Sequence, residues 1–227
     1  MSNLSAILAV LLLFLWGESA YSEEATRVHA ADPTSSEIYG GLYLFGSLAR
    51  NRPLDLGGQS LSQTEVLNGA GAGFRAGIFP SLARGVIGIQ GETFGFGHEL
   101  SAPPATGPNG IRSAKGTIIA GNTLISLVVR YPGEYVQPYA GAGIGLSSAH
   151  LANADLVQGT SRQTGIAGDL ALAYQFFAGL RANVTSSLFL FGEYKWFSAR
   201  YTWTGPLAPS LDFRSQMLAV GVGMSFH

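Results

Sequence analysis

The stretch "LAVGVGMSFH", Leu218 to His227, alternates large apolar residues with small ones up to a penultimate phenylalanine. Strict period-two alternation is the mark of a β-strand, because successive side chains point to opposite faces. Leu218, Val220, Val222, Met224 and Phe226 share one face; Ala219, Gly221, Gly223 and Ser225 share the other. One side is greasy and the other nearly bare. A water-soluble sheet would carry charge on its second face, so the greasy side is expected to meet something other than a protein core.

Working outward, the same alternation recurs along the chain. Candidate strands run from Ile38 to Ala49, Gly69 to Phe79, Gly85 to Phe96, Thr117 to Tyr131, Val136 to Ser147, Gly168 to Ala182, Leu188 to Tyr201 and Phe213 to Phe226. These eight segments of 11 to 15 residues exceed the usual soluble strand of ~5–6 residues. They are long enough to cross a bilayer at a tilt, which takes ~9–11 residues. The connections alternate between long polar loops, at Arg50 to Asn68, Gly97 to Gly116, Ser148 to Ala167 and Thr202 to Asp212, and tight turns, "PSLAR" at Pro80, "PGEY" at Pro132 and "NVTSS" at Asn183. An antiparallel meander then has every long loop at one end and every turn at the other. That asymmetry is the one expected of a barrel spanning a bacterial outer membrane.

Composition points the same way. Of 227 residues, 47% are hydrophobic and only 12% charged, against ~25% charged in a typical soluble domain. A net charge of -1 argues against a nucleic-acid partner, which would require a basic patch able to neutralise phosphates. Without cysteine there is no disulfide framework, thiolate metal site or cysteine nucleophile. The opening "MSNLSAILAVLLLFLWGESAYSEE" has an apolar run from Leu4 to Trp16, too short for a spanning helix and suited to a secretory signal peptide at residues 1–22, cleaved after Ser22. Residues 23–37 read as a flexible periplasmic leader, and 38–227 as an all-β, eight-stranded antiparallel up-and-down transmembrane barrel.

Parity assigns the faces. In "LFLFGEYKWFSARY", Leu188, Leu190, Tyr194 and Trp196 oppose Phe189, Phe191, Glu193, Lys195 and Phe197. Across the strands, the mid-strand polar residues Arg75, Gln90, Glu92, Arg130, Gln175, Arg181, Glu193 and Lys195 all fall opposite the aliphatic stripe. The stripe is expected to face hydrocarbon, where an ionised side chain costs ~2–4 kcal/mol at the midplane. The polar set is expected to pair inside as a plug, because the interior of an eight-stranded barrel is just wide enough for side chains to fill it. Tyr131, Tyr135, Tyr194, Trp196, Tyr201 and Trp203 are expected to form the aromatic girdles. Backbone groups in lipid must all be paired, so the last strand must close on the first.

The segments "YVQPYAGAGIGLS" at Tyr135, "LFLFGEYKWFSARYTW" at Leu188 and the ending "VGVGMSF" resemble the OmpA/OmpX and opacity-protein-like eight-stranded outer-membrane barrels, over essentially residues 38–227. The resemblance implies a non-enzymatic protein of the bacterial outer membrane, with a structural or surface-interaction role in adhesion or envelope integrity carried by extracellular loops. Its implied partners are outer-membrane lipid and lipopolysaccharide, the barrel assembly machinery, and an extracellular or envelope protein meeting the loops. It also implies that Phe226 serves as the assembly signal, although here His227 follows it. Because the chain stops at the closing strand, any cell-wall attachment is expected to need a partner.

Chemistry-bearing patterns are sparse. "GAGIG" at Gly141 lacks the spacing and following helix of a phosphate loop and reads as room for bulky lumen neighbours. A lipid A-modifying enzyme would need a nucleophile, a His and an acid near the membrane surface. His98 and His150, with Glu99, Ser147, Ser148 and Asp155 nearby, are the residues available for one, but they read more simply as solvated loop groups. The charged interior leaves a second alternative, a small-solute or ion channel. No cofactor or metal cluster is expected.

Overall fold

The computed structural model describes residues 35–49, 54–56, 59–61, 65–102, 111–158, 161–163, 166–202 and 210–226. The expected signal peptide, most of the leader and Trp203 lie outside the described residues. Eight long strands form the wall: β1 (Glu37–Ala49), β2 (Gly69–Phe79), β3 (Ile87–Ala102), β4 (Ile111–Arg130), β5 (Val136–Gln158), β6 (Ile166–Asn183), β7 (Leu188–Thr202) and β8 (Ser210–Phe226). Every neighbouring pair is antiparallel, in sequence order. The opening stretch closes the ring, β8 pairing with β1 from Ile38 opposite Phe226 to Ala49 opposite Ser215. With no open edge along the wall, the backbone ladder is complete, as a hydrocarbon surrounding demands.

The two faces separate as parity dictates. Leu42, Leu44, Ile125, Leu127, Leu172, Val220 and their neighbours point outward, Leu42 being 66% exposed and Ile125 65%. No stable water-soluble monomer exposes such an unbroken aliphatic belt, since its largest apolar patch is normally ~300–600 Å². Inward lie most of the phenylalanine rings, Tyr39, Tyr43 and Tyr201, and the buried charge. The glycines of β8 make this possible: a Cβ at Gly223 would collide with the Phe189 ring, and one at Gly221 with the Phe191 ring and the Leu42 carbonyl. Bare positions on one strand are therefore the sockets for large rings on the next.

Three strands run furthest past their expected loop-end boundaries. β3, β4 and β5 have 16, 20 and 23 residues, so much of the expected loops Gly97 to Gly116 and Ser148 to Ala167 is paired sheet. β3 and β4 stay in register as far as Ala102 opposite Ala114, while β4 and β5 stay paired as far as Ile111 opposite Gln158 with register shifts between Lys115 and Thr117 and between Ile111 and Ser113. The alternation fades there because a strand beyond the membrane needs no apolar face, while its ladder hydrogen bonds persist. Four short strands, Leu54–Leu56, Gln59–Leu61, Glu65–Val66 and Ser161–Gln163, extend this loop-end sheet. At the turn end, β3 starts at Ile87 rather than Gly85, since Arg84 (φ 51°) and Gly85 (φ 67°) turn the chain left-handed. Glu37, expected at the end of the leader, is the first residue of β1.

Candidate functional site: the lumen

The lumen is a column of contacts from the turn end to the loop end. At the turn end Glu37 receives two guanidiniums, Arg181 Nη1 at 2.5 Å from Oε1 and Arg130 Nη1 at 2.6 Å from Oε2. Each guanidinium also stacks on a ring, Arg130 over Phe79 at 3.7 Å and Arg181 over Phe189 at 3.9 Å. Arg130 Nε donates to the Gly85 carbonyl and Arg181 Nη2 to Ser225 Oγ. The planar fork of arginine allows this combination of ion pair, stacking and further donation.

At mid-barrel, Arg75 Nη1 donates to Glu193 Oε2 at 2.8 Å, and Tyr139 Oη reaches the same oxygen at 2.9 Å. Arg75 lies 3.5 Å over the Phe191 ring. Beside it, Glu92 receives Lys195 Nζ and Tyr43 Oη on Oε1, each at 2.5 Å, and Gln175 Nε2 on Oε2 at 2.7 Å. Lys195 Nζ also sits 3.5 Å from Glu193 Oε1, joining the two pairs. Gln90 accepts from Tyr39 Oη at 2.8 Å. The eight polar residues singled out by parity are thus all buried here. Pairing decides whether such groups are tolerable, since desolvating a lone charge costs several kcal/mol.

Above this network an apolar layer crosses the barrel. Phe94 meets Phe45 at 5.7 Å and Phe197 at 5.5 Å, both edge-on, and Phe96 stacks on Phe213 at 5.1 Å. The polar groups at this end are neutral. Ser147 Oγ donates to Asn122 Oδ1 and lies 2.6 Å from Tyr201 Oη. His98 Nδ1 donates to the Leu67 carbonyl at 2.8 Å, so in the neutral ring Nε2 is left to accept the Ser47 hydroxyl at 3.0 Å. Ser215 Oγ lies 2.5 Å from Ser47 Oγ.

Two expectations fail here. Tyr201, placed by sequence in the outer girdle, is fully buried inside because it has the parity of Phe197 and Ala199. His98, read as a solvated loop group, is only 1% exposed and lies in the lumen, because β3 continues past it. The residues considered for catalysis are also dispersed: Ser147 points inward to Asn122 and Tyr201, while His150 and Glu99 are exposed on the outer face. Asp155's side chain lies outside the described set. Among the remaining girdle residues, Tyr131 and Tyr135 are exposed at the turn end. On the outer wall, Trp196 contacts Tyr174 and Phe176 at 5.6 and 5.8 Å.

Sequence reading missed Glu37, Tyr39, Tyr43 and Tyr139, which supply a carboxylate and three hydroxyls to the network. The signal was present for three of them: Tyr39 and Tyr43 have the parity opposite Leu42 and Leu44, and Tyr139 that opposite Ile144 and Leu146. Ser47 and Ser215 offered no comparable signal, since small polar residues occur on either face.

The chain matches no family model and no curated protein in sequence. In structure it is similar to outer-membrane protein OprG from Pseudomonas aeruginosa, with a TM-score of 0.55 and 15% identity over 86% of this chain and 97% of that one. Neisserial surface protein A is similar at a TM-score of 0.50, again with 15% identity, over 83% and 97%. Ail, the attachment invasion locus protein of Yersinia pestis, aligns at 0.46 with 15% identity over 85% and 99%. At such identities the likeness to OprG and surface protein A is one of fold. With the aliphatic belt and the closed ladder, it makes this chain an eight-stranded β-barrel of the bacterial outer membrane.

Proposed function

We propose that this outer-membrane barrel is a non-conducting membrane scaffold whose extended loop end makes surface contacts, in adhesion or envelope integrity. One observation carries the reading. Ion pairs and stacked rings fill the lumen, and the cavity among them, lined by Tyr39, Gln90 and Tyr139, measures only about 20 Å³, room for about one water. No solute passes such a column without dismantling buried ion pairs. The sheet of β3, β4 and β5, by contrast, continues well past the apolar belt and offers an ordered platform at the loop end. In this reading the turns face the periplasm, lipopolysaccharide packs against the outer belt, residues 1–22 direct export, and Phe226 is read by the barrel assembly machinery.

The test pairs conductance with surface binding. Barrel reconstituted in planar bilayers is expected to stay silent. Cells carrying a version with residues 103–110 replaced by a short Gly-Ser turn are expected to lose attachment to surfaces coated with matrix protein, or to become sensitive to detergent, while barrel level is unchanged. Discrete conductance steps in the unaltered protein would replace this reading with that of a small-solute channel. An altered lipid A acyl pattern, abolished by His150→Ala, would replace it with that of a lipid A-modifying enzyme.

A further inference from the structure

The lumen's charges do not balance. Buried within it are four cations, Arg75, Arg130, Arg181 and Lys195, and three carboxylates, Glu37, Glu92 and Glu193, leaving one positive charge in excess among the described residues. All three carboxylates are already engaged, Glu92 with Lys195, Glu193 with Arg75, and Glu37 with both Arg130 and Arg181. The surplus is therefore local to the turn end, where two guanidiniums share one carboxylate. An uncompensated charge in so dry an interior is costly.

The cavity lies against that surplus. Arg75, Arg130 and Arg181 line it, together with Gln90, Gln137 and the apolar edge of Val128, and no carboxylate does. Two of its lining residues also carry buried donors with no acceptor in the structure, Arg75 Nε and Gln90 Nε2. Three guanidiniums, unmatched donors, no lining acid and a volume of about 20 Å³ describe a site for a small monovalent anion. We propose that this cavity binds a halide, chloride being the abundant one, and that the bound ion completes the charge balance of the folded lumen. A water molecule fills the same volume and accepts from the same donors, yet leaves the excess charge in place. The site is independent of whatever the loop end contacts.

Bromide tests this directly. Crystals of the refolded barrel grown in bromide with chloride excluded are expected to show an anomalous peak in the cavity, within hydrogen-bonding reach of Arg75 and Gln90. In solution, the heat needed to unfold the barrel on an SDS gel is expected to rise by about 2–4 °C in chloride relative to gluconate at equal ionic strength. Gln90→Glu places a carboxylate on the cavity and cancels the surplus, so it is expected to remove both the bromide peak and the chloride dependence. Should that variant fail to refold, Gln90→Met removes the amide donor, together with the acceptor for Tyr39 Oη, without adding charge and is expected to lower bromide occupancy. Bromide at surface positions only, an adventitious ion only, with water in the cavity and the same unfolding temperature in both salts, would overturn the proposal.

Discussion

The turn half and the loop half of the lumen are held by different forces within one continuous wall. From Glu37 to Lys195, buried charges are paired and their guanidiniums lie on phenyl rings. From Phe94 to Phe213, rings pack on rings, and the polar groups among them are neutral hydroxyls, an amide and an imidazole. The difference is one of cooperativity. An ion pair in a low dielectric is stable only as a pair, so losing one partner is punished by the full desolvation of the other. Packed rings lose stability in proportion to the volume removed. The turn half should therefore fail abruptly and the loop half gradually.

The sharpest way to break the comparison is Lys195→Met, which leaves Glu92 buried without its cation. It is expected to destabilise the refolded barrel by about 3–5 kcal/mol, read as the urea midpoint of the heat-modified band. Lys195→Met combined with Glu92→Gln, which removes the unpaired charge and keeps an acceptor for Tyr43, is expected to recover most of that loss. A double variant no better than the single one would show that the charges are not coupled.

In the loop half, Phe197→Leu is expected to cost only about 1 kcal/mol by the same readout, because the ring's neighbours can close around a smaller apolar group. A loss as large as that of Lys195→Met would mean that the apolar layer is as all-or-none as the ion network. Between these lies Gly221→Ala, whose new methyl meets the Phe191 ring and the Leu42 carbonyl. Its expected cost of about 1–3 kcal/mol is that of overpacking. An unchanged midpoint would show that the wall yields where the structure has it tight.

Ser47→Ala sharpens the contrast within the neutral polar groups, removing the hydroxyl that His98 Nε2 accepts at 3.0 Å. Leaving a buried acceptor unpaired is expected to cost about 1–3 kcal/mol. Smallest of all is Asp212→Asn, on the outer wall, where Asp212 meets Arg214 at 3.0 Å with both side chains more than a third exposed. An exposed pair is worth about 0.2–1 kcal/mol and is screened by salt, so raising the salt concentration should erase the difference between variant and wild type.

Much of this was legible in the sequence. The alternation from Leu218 to Phe226 contains its own fold: five large residues on one face can only meet lipid, and the bare face can only meet something bulky. The same parity placed Arg75, Glu92, Arg130, Arg181, Glu193 and Lys195 inside, because a strand assigns each residue to a face without regard to its neighbours. Strand ends beyond the membrane were illegible, as for β3 at His98, since water tolerates either polarity there and the alternation carries no information. Tyr201 shows the related error, its ring type suggesting a girdle while its parity put it inside.

What only the tertiary structure decided is who meets whom. Parity says that Arg130 and Arg181 point inward; it does not say that both meet Glu37, 93 and 144 positions away in the chain. Those partners follow from the register and closure of the ring, which bring distant strands across a lumen one side chain wide. The excess charge at the turn end is visible only after such pairing, because a balance of charges is a property of a place, and the sequence alone gives only their order along the chain.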